Sequence, residues 1–287
     1  MEMGKEAHME TTETAPINAE VVSGGHALAV EMDSQRKVAI SAPRKEKALY
    51  EAALAELEMF PKFAEEAFYS IPYKKADGGE ELVEGPSVKA SRAMARRWGN
   101  CATASRIVAH HDDYIEVEGV FVDFETNFIT RRLVSVKKTY IPRSTKVPTP
   151  LRDDKLNMAI QAGMSKAERN ATLSGLPVYL VEAYFDKAKK LAGQAGKKEG
   201  KTIEERFQAL YVAFAKLGIE KARVQAYMDE KFPEGADPDD TLGTMRGIFN
   251  AIKDGQAKAE DVFPVNKSEG KGAGEGPVGA SDLTGKK

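Results

Sequence analysis

The sequence predicts an α+β protein: an antiparallel β-meander packed against helices, followed by a small all-helical C-terminal domain. Three observations carry that expectation. Between 101 and 140, three runs rich in Val, Ile, Phe, Tyr and Thr are separated by Asp112-Asp113 and Thr126-Asn127, as in short strands joined by tight turns. The flanking stretches repeat apolar residues at helical spacing. Beyond a Gly/Lys-rich stretch at 192–202, three more helical stripes fill 203–263.

Taken in order, residues 1–43 lack periodicity and are rich in Glu, Thr, Ala and Ser, which predicts a flexible arm. From 44 to 58, Ala48, Leu49, Ala52, Ala53 and Leu57 mark a helix, and Pro61 breaks it before a second short piece that reaches Phe68. Asp77-Gly78-Gly79 is a hairpin turn signal between two short strands. Pro86 opens a helix that runs to Trp98 and stops at Gly99-Asn100. On a helical wheel its Lys89, Arg92 and Arg96 share one arc with Arg97 at the edge, while Ala90, Met94, Ala95 and Trp98 fill the other.

The three strands span about 101–110, 114–124 and 127–140. In the second, Glu116 and Glu118 alternate with Ile115 and Val117, and the alternation shifts near Gly119, which predicts a bulge there. The third places Arg132 and Lys138 on one side, Arg131 and Lys137 on the other. Three prolines make 142–150 a loop. Asp153 or Asp154 then caps a helix with Leu156, Ile160, Gly163, Met164, Ala167 and Ala171 on one face and Lys155, Lys166 and Arg169 on a neighbouring one. Leu176-Pro177 interrupts before a helix over 178–191. The expected domains are thus an arm (1–43), an α+β core (44–191), a linker (192–202), a small helical domain (203–263) and a disordered tail (264–287).

Composition narrows the function. The 287 residues carry 42 Lys and Arg against 44 Asp and Glu, a formal charge of -2, with one Cys and one Trp. A 30% charged fraction and a mean hydropathy of -0.43, without an apolar run of the roughly 18–20 residues that a span needs, predict no membrane insertion. The N-terminus, MEMGKEAHMETTETAP, has no apolar stretch behind a basic start, so the expected location is the cytoplasm. Cys101 has no partner for a disulfide and is expected to be a small buried residue.

The near-neutral total hides an uneven distribution. Residues 1–70 carry a net -6, 71–200 a net +6 and 201–287 a net -2. Within the middle window, 86–111 holds five basic residues and no acid, and 126–152 holds seven basic residues and no acid. Charge needed only for solubility is interspersed, so two acid-free basic blocks point to an anionic partner.

The same residues offer little catalytic chemistry. A GxxxxGKS loop and a GxGxxG after a strand are both missing from the sequence, so nucleotide hydrolysis has no support and no cofactor is expected. His110-His111-Asp112-Asp113, with Asp123 and Glu125, holds enough ligands for a two-metal nuclease centre, but adjacent strand residues point to opposite faces and Asp-Asp is ordinary turn chemistry. Binding fits better, because aromatics over a basic groove hold single-stranded nucleic acid without sequence preference. The candidate DNA contacts are Lys89, Arg92, Arg96, Arg97, Arg106, Arg131, Arg132, Lys137, Lys138, Arg143, Lys146, Lys166, Arg169 and Asn170. Tyr73, Phe128 and Tyr140 are candidates for base stacking, with ordinary core or strand packing the favoured reading of each.

The stretch IPYK, a Gly-containing turn, VEGPSVKASRAMARRWGN, a three-strand meander containing DFETN, and AERNATLSGLP together resemble phage single-strand annealing recombinases of the Red-beta/RecT/Erf type over about 70–180. ERFQALYVAFAKLGIEKARVQAYM followed by TLGTMRGIFNAIKDG resembles the small helical domain that often follows such cores. The resemblance implies an ATP-independent protein of the bacterial host's cytoplasm that coats single-stranded DNA, pairs complementary strands into an annealed duplex and assembles with itself into a ring or helical filament. It also implies a phage exonuclease and the host single-strand-binding protein as partners, through the C-terminal domain. The alternatives are a metal-dependent nuclease using Asp123 and Glu125, and a phage structural or scaffold protein.

Overall fold

The computed structural model describes residues 33–75, 79–142 and 146–264. It is a mixed α+β structure with antiparallel sheets against helices. The chain divides into two compact units. One combines residues up to Ala55 with Ser91–Val181, the other Glu56–Ala90 with the chain from Glu182 on.

In the first unit, residues 33–41 are helical (α1), where the sequence predicts a flexible arm, and Ala39 is buried. The rest of the expected arm, 1–32, lies outside the described residues. Helix α2 (Glu46–Met59) follows. The short helix α3 (Pro61–Glu66) and the strands β1 (Phe68–Lys74) and β2 (Glu80–Pro86) belong to the second unit, and α4 (Val88–Trp98) leads back to the first. Pro86 does not open α4 but ends β2, paired with Phe68. The cap is Ser87, whose Oγ accepts from the Ala90 N–H at 3.2 Å. Helix α4 stops at Gly99 and Asn100, both at positive φ, the left-handed end that the sequence predicts.

Strands β3 (Cys101–His110), β4 (Tyr114–Asp123) and β5 (Phe128–Lys137) form the expected meander in the order β3-β4-β5. Helix α5 (Asp153–Gly175) covers one face. Its packing explains Gly119, which forms no bulge. Gly119 pairs in regular register with Ser105 and Arg132, and the bulge lies in β3 between Ile107 and Ala109. A Cβ at Gly119 would stand 2.0 Å from the Ala167 carbonyl oxygen, and one at Gly163 would stand 2.3 Å from Val136 Cγ2. Glycines on both partners therefore let helix and sheet backbones approach closely. Ile115, Val117, Val136 and Ala167 form the core between them, with Leu156, Ile160 and Met164 at its margin. The Thr103 and Thr172 hydroxyls meet at 2.7 Å, and Thr130 Oγ1 donates to Ala171 O at 2.7 Å. Trp98 is buried, with the Arg44 guanidinium 4.7 Å above its ring.

Beyond β5, the two-residue strands β6 (Thr139–Tyr140) and β7 (Thr149–Pro150) close the proline loop, and after α5 the helix α6 (Val178–Gly193) leads into the second unit. There β1 and β2 pair antiparallel, and residues 76–78 between them lie outside the described residues. Helices α7 (Ile203–Ala215), α8 (Lys221–Lys231), α9 (Pro238–Lys253) and α10 (Ala259–Val262) share a core centred on Phe214, Met245, Ile248 and Phe263. The β1–β2 pair belongs with them. Asn250 Nδ2 donates to Glu65 O at 2.7 Å and to Phe68 O at 2.9 Å, and a Cβ on Gly247 would stand 2.2 Å from Ser70 Oγ. The unit boundaries accordingly differ from the sequence-predicted ones. The stretch read as a linker, 192–202, carries a 3-10 turn at Lys197–Glu199. Arg206 bonds the Ala195 and Gly193 carbonyls and Asp239, and Lys197 also reaches Asp239. Among the described residues no helix is long and apolar enough to cross a membrane.

Candidate nucleic-acid interface

The acid-free blocks of the sequence acquire acids in space. Lys89, in the second unit, pairs with Glu66, which also takes Lys253 at 3.0 Å. Hydrogen bonds from those two lysines outweigh burial and hold the Glu66 carboxyl below its ordinary range. Arg92, in the first unit, grips Glu168 with Nε at 2.7 Å and Nη2 at 2.6 Å. Arg96 and Arg97 remain exposed on α4. The basic arc of this helix thus commits Lys89 and Arg92 to structure.

Strand pairing dictates the next cluster. Because cross-strand neighbours share a face, Arg106 lies directly opposite Glu118, and Arg131 is diagonal to it. All three are on the sheet face away from α5. Arg106 Nη2 reaches Glu118 at 2.8 Å and Arg131 Nη1 at 3.5 Å; the guanidinium side chains are 65% and 60% exposed and the carboxylate 9%. One acid thus anchors two solvent-facing arginines. Ile129 and Leu133 are exposed beside them on β5.

On the α5 side, Arg132 and Lys166 are exposed; Lys137, at the end of β5 on the same face as Arg131, is exposed too, and none of the three makes an ion pair among the described residues. Arg132 pairs across the sheet with Gly119, directly under Ala167, and the helical spacing 166, 167, 170 sets Lys166 and Asn170 on the β5 side of α5. Lys138 is committed to the His111 carbonyl across the β3–β4 turn. Lys146 is exposed, and Arg143 lies outside the described residues. Arg169 is a correction to the expected DNA contacts: it is buried, with Nε and Nη2 on Asn170 Oδ1 at 3.3 and 3.2 Å.

Phe128 and Tyr140 do not make one platform. Tyr73 is half exposed in the second unit, and Phe128 and Tyr140 are half exposed, one at the start of β5 and the other in β6 past its far end. Ten residues at about 3.3 Å each separate those ends by roughly 30 Å.

Asp123 and Glu125, the carboxylates of the nuclease alternative, are both held by Arg44. Its Nη1 and Nη2 lie 2.7 Å from the two Asp123 oxygens, and its backbone N and Nε both lie 2.9 Å from Glu125 Oε1. Burial would raise the Asp123 carboxyl, but hydrogen bonds from Arg44 and from the Thr126 and Glu125 N–H groups outweigh it and hold it below its ordinary range. No group of three or more His, Cys, Asp or Glu suited to a metal occurs among the described residues. The His110–Asp113 stretch supplies the turn between β3 and β4, with His111 stacked on Tyr114 at 4.2 Å. Cys101 is half-buried; burial, with Asp123 adding and Arg44 opposing, pushes its thiol up to about 11, and Sγ donates to Ala95 O at 3.2 Å. So protonated a thiol is a poor nucleophile at neutral pH.

Sequence reasoning missed Arg44, since nothing local at the start of the first predicted helix announces a partner 79 residues away. It also missed Glu118 as the shared acid of two basic blocks, although the strand register contained that signal. No protein-family model matches the sequence, no curated protein is detectably similar to it, and no solved structure is detectably similar to its fold.

Proposed function

We propose that this chain is an ATP-independent single-stranded DNA-binding and annealing protein of the Red-beta/RecT/Erf type, working in homologous recombination in the cytoplasm of a bacterial host. The observation that carries the proposal is the surplus of uncommitted cations around one edge strand. Arg132, Lys137 and Lys166 have no acid partner among the described residues, and Arg106 and Arg131 share a single carboxylate. Exposed cations of this kind neutralise phosphates and release counterions, which supplies sequence-independent affinity. A handful of contacts per subunit is too few to hold a flexible strand at physiological salt, so the chain is proposed to act as a ring or filament of copies. Helices α7–α10 are proposed to receive a phage exonuclease or the host single-strand-binding protein, because their acidic residues Glu230, Glu234, Asp237 and Asp240 repel a phosphate backbone.

Complementary oligonucleotides mixed with the protein in EDTA test the proposal. Annealing without metal or nucleotide is the expected result. Degradation that starts only with magnesium would establish a nuclease, a result that the engagement of Asp123 and Glu125 by Arg44 argues against. Neither activity would leave the scaffold alternative.

A further inference from the structure

Past the end of β5 the chain folds back to the start of α5. Leu151 N–H donates to Lys138 O at 2.8 Å, and Thr139 and Tyr140 pair with Pro150 and Thr149. This short ladder holds Tyr140 and Leu151 beside the first turn of α5, where they join Arg152 and Lys155 in lining a cavity of about 400 Å³. Pockets that take small organic ligands begin near about 300 Å³, so the space suits one nucleotide.

The chemistry of the lining is divided. Tyr140, 49% exposed, offers a ring that no other aromatic stacks against among the described residues, and Leu151 adds an apolar wall. The opposite side carries the cations Arg152 and Lys155, with Asp153 and Asp154 between them in the first turn of α5. The Lys155 side chain makes no ion pair among the described residues, while its backbone N–H bonds the Asp154 carboxylate. Arg152 bonds Asp154 with Nε at 3.1 Å and Nη2 at 2.8 Å, but both side chains are exposed, and such a pair exchanges readily for another anion. The N-terminus of the 23-residue helix α5 lies at the same place, its positive end shared with Asp153 and Asp154.

We infer that this cavity is a single-nucleotide subsite: the base lies on Tyr140 against Leu151, and its phosphate lies on Lys155 and Arg152. The inference rests on the proposed single-strand binding and adds Arg152 and Lys155, which are not among the candidate DNA contacts read from the sequence. Only an unpaired base can present its face to Tyr140, so the site takes single strands and not duplex. The lining has no pattern of donors and acceptors suited to one base edge, so the site reads no sequence.

The test uses the full chain and a thymidine oligonucleotide carrying photoreactive 5-iodouracil. Irradiation is expected to give an adduct on Tyr140. Tyr140→Leu and Lys155→Gln are each expected to weaken oligonucleotide binding by about tenfold, and Tyr140→Phe, which keeps the ring, by less than about twofold. Both residues are exposed, and unchanged circular dichroism verifies the fold of the variants. Wild-type binding with no adduct on Tyr140, and with both variants within about twofold, overturns the subsite and leaves single-strand binding standing. A wild-type chain that binds no oligonucleotide overturns the proposed function and the subsite together.

Discussion

Arg44 and Asp123 form a two-point ion pair, Nη1 to Oδ2 and Nη2 to Oδ1, each at 2.7 Å, with side chains only 5% and 7% exposed. The same guanidinium covers Trp98 and bonds Glu125, so one residue ties the segment before α2 to the β4–β5 turn. Removing one partner leaves a buried charge alone. Arg44→Met should therefore lower unfolding free energy by about 3–5 kcal/mol, read as a shift of the urea midpoint. The pH dependence has a definite sign. Asp123 is held below its ordinary value, so the pair's contribution is full above the unfolded carboxyl value of about 3.9 and is lost as pH falls through the folded value. Between pH 6 and 3 the wild type should lose more stability than Arg44→Met. Equal losses would place the acid sensitivity elsewhere.

Glu118 sets how much charge the open sheet face shows to a phosphate backbone. Glu118→Gln keeps a hydrogen-bond acceptor for Arg106 and Arg131 and removes the charge that neutralises them. Affinity for a single strand should rise, and the log–log salt slope should steepen by about 0.7 for each additional phosphate neutralised. An unchanged slope would exclude the open face and confine binding to the Arg132 and Lys166 side of β5.

Gly119→Ala isolates the close approach of α5. Its Cβ would meet the Ala167 carbonyl at 2.0 Å and Glu168 N at 2.5 Å, both backbone atoms that no rotamer change can move. Overpacking against backbone should cost about 3 kcal/mol or more, seen as a lower midpoint in thermal or urea unfolding. Ser105→Ala, the neighbour paired with Gly119, is the control and should be nearly neutral.

Elements set by local pattern were legible in the sequence: the meander, the Gly99-Asn100 stop, and the helices of 203–263. What escaped was pairing between distant segments. Nothing in SIPYK and its neighbours shows that Phe68 and Ser70 lie under Gly247 and Asn250, because each segment alone reads as an ordinary half-buried element. The candidate interface was legible as a count of charges but not as a surface. Glu66 and Glu168 lie 23 and 76 residues along the chain from Lys89 and Arg92, and only the fold reveals which cations they neutralise.

The last prediction follows from that missed pairing. Read locally, 203–263 is separable, and a chain ending at Gly193 should be a complete core. In the structure, α9 supplies Asn250, whose Nδ2 is the donor on Glu65 O and Phe68 O, and Gly247, which admits Ser70. Phe68 and Ser70 are fully buried. Truncation at Gly193 leaves those carbonyls without their donor and strips the cover from β1. Hydrogen exchange should then be fast in β1 and β2 and still slow in β3, β4 and β5, whose partner α5 is retained. Asn250→Ala in the full chain is the graded version and should cost about 1–3 kcal/mol, the penalty of an unsatisfied buried carbonyl. Oligonucleotide binding should survive truncation within a few-fold, because Arg106, Arg131, Arg132, Lys137 and Lys166 all belong to the first unit. Slow exchange in β1 and β2 after truncation would show that α9 is dispensable to the β1–β2 pair, and loss of binding with β3–β5 still protected would place part of the DNA interface in the second unit.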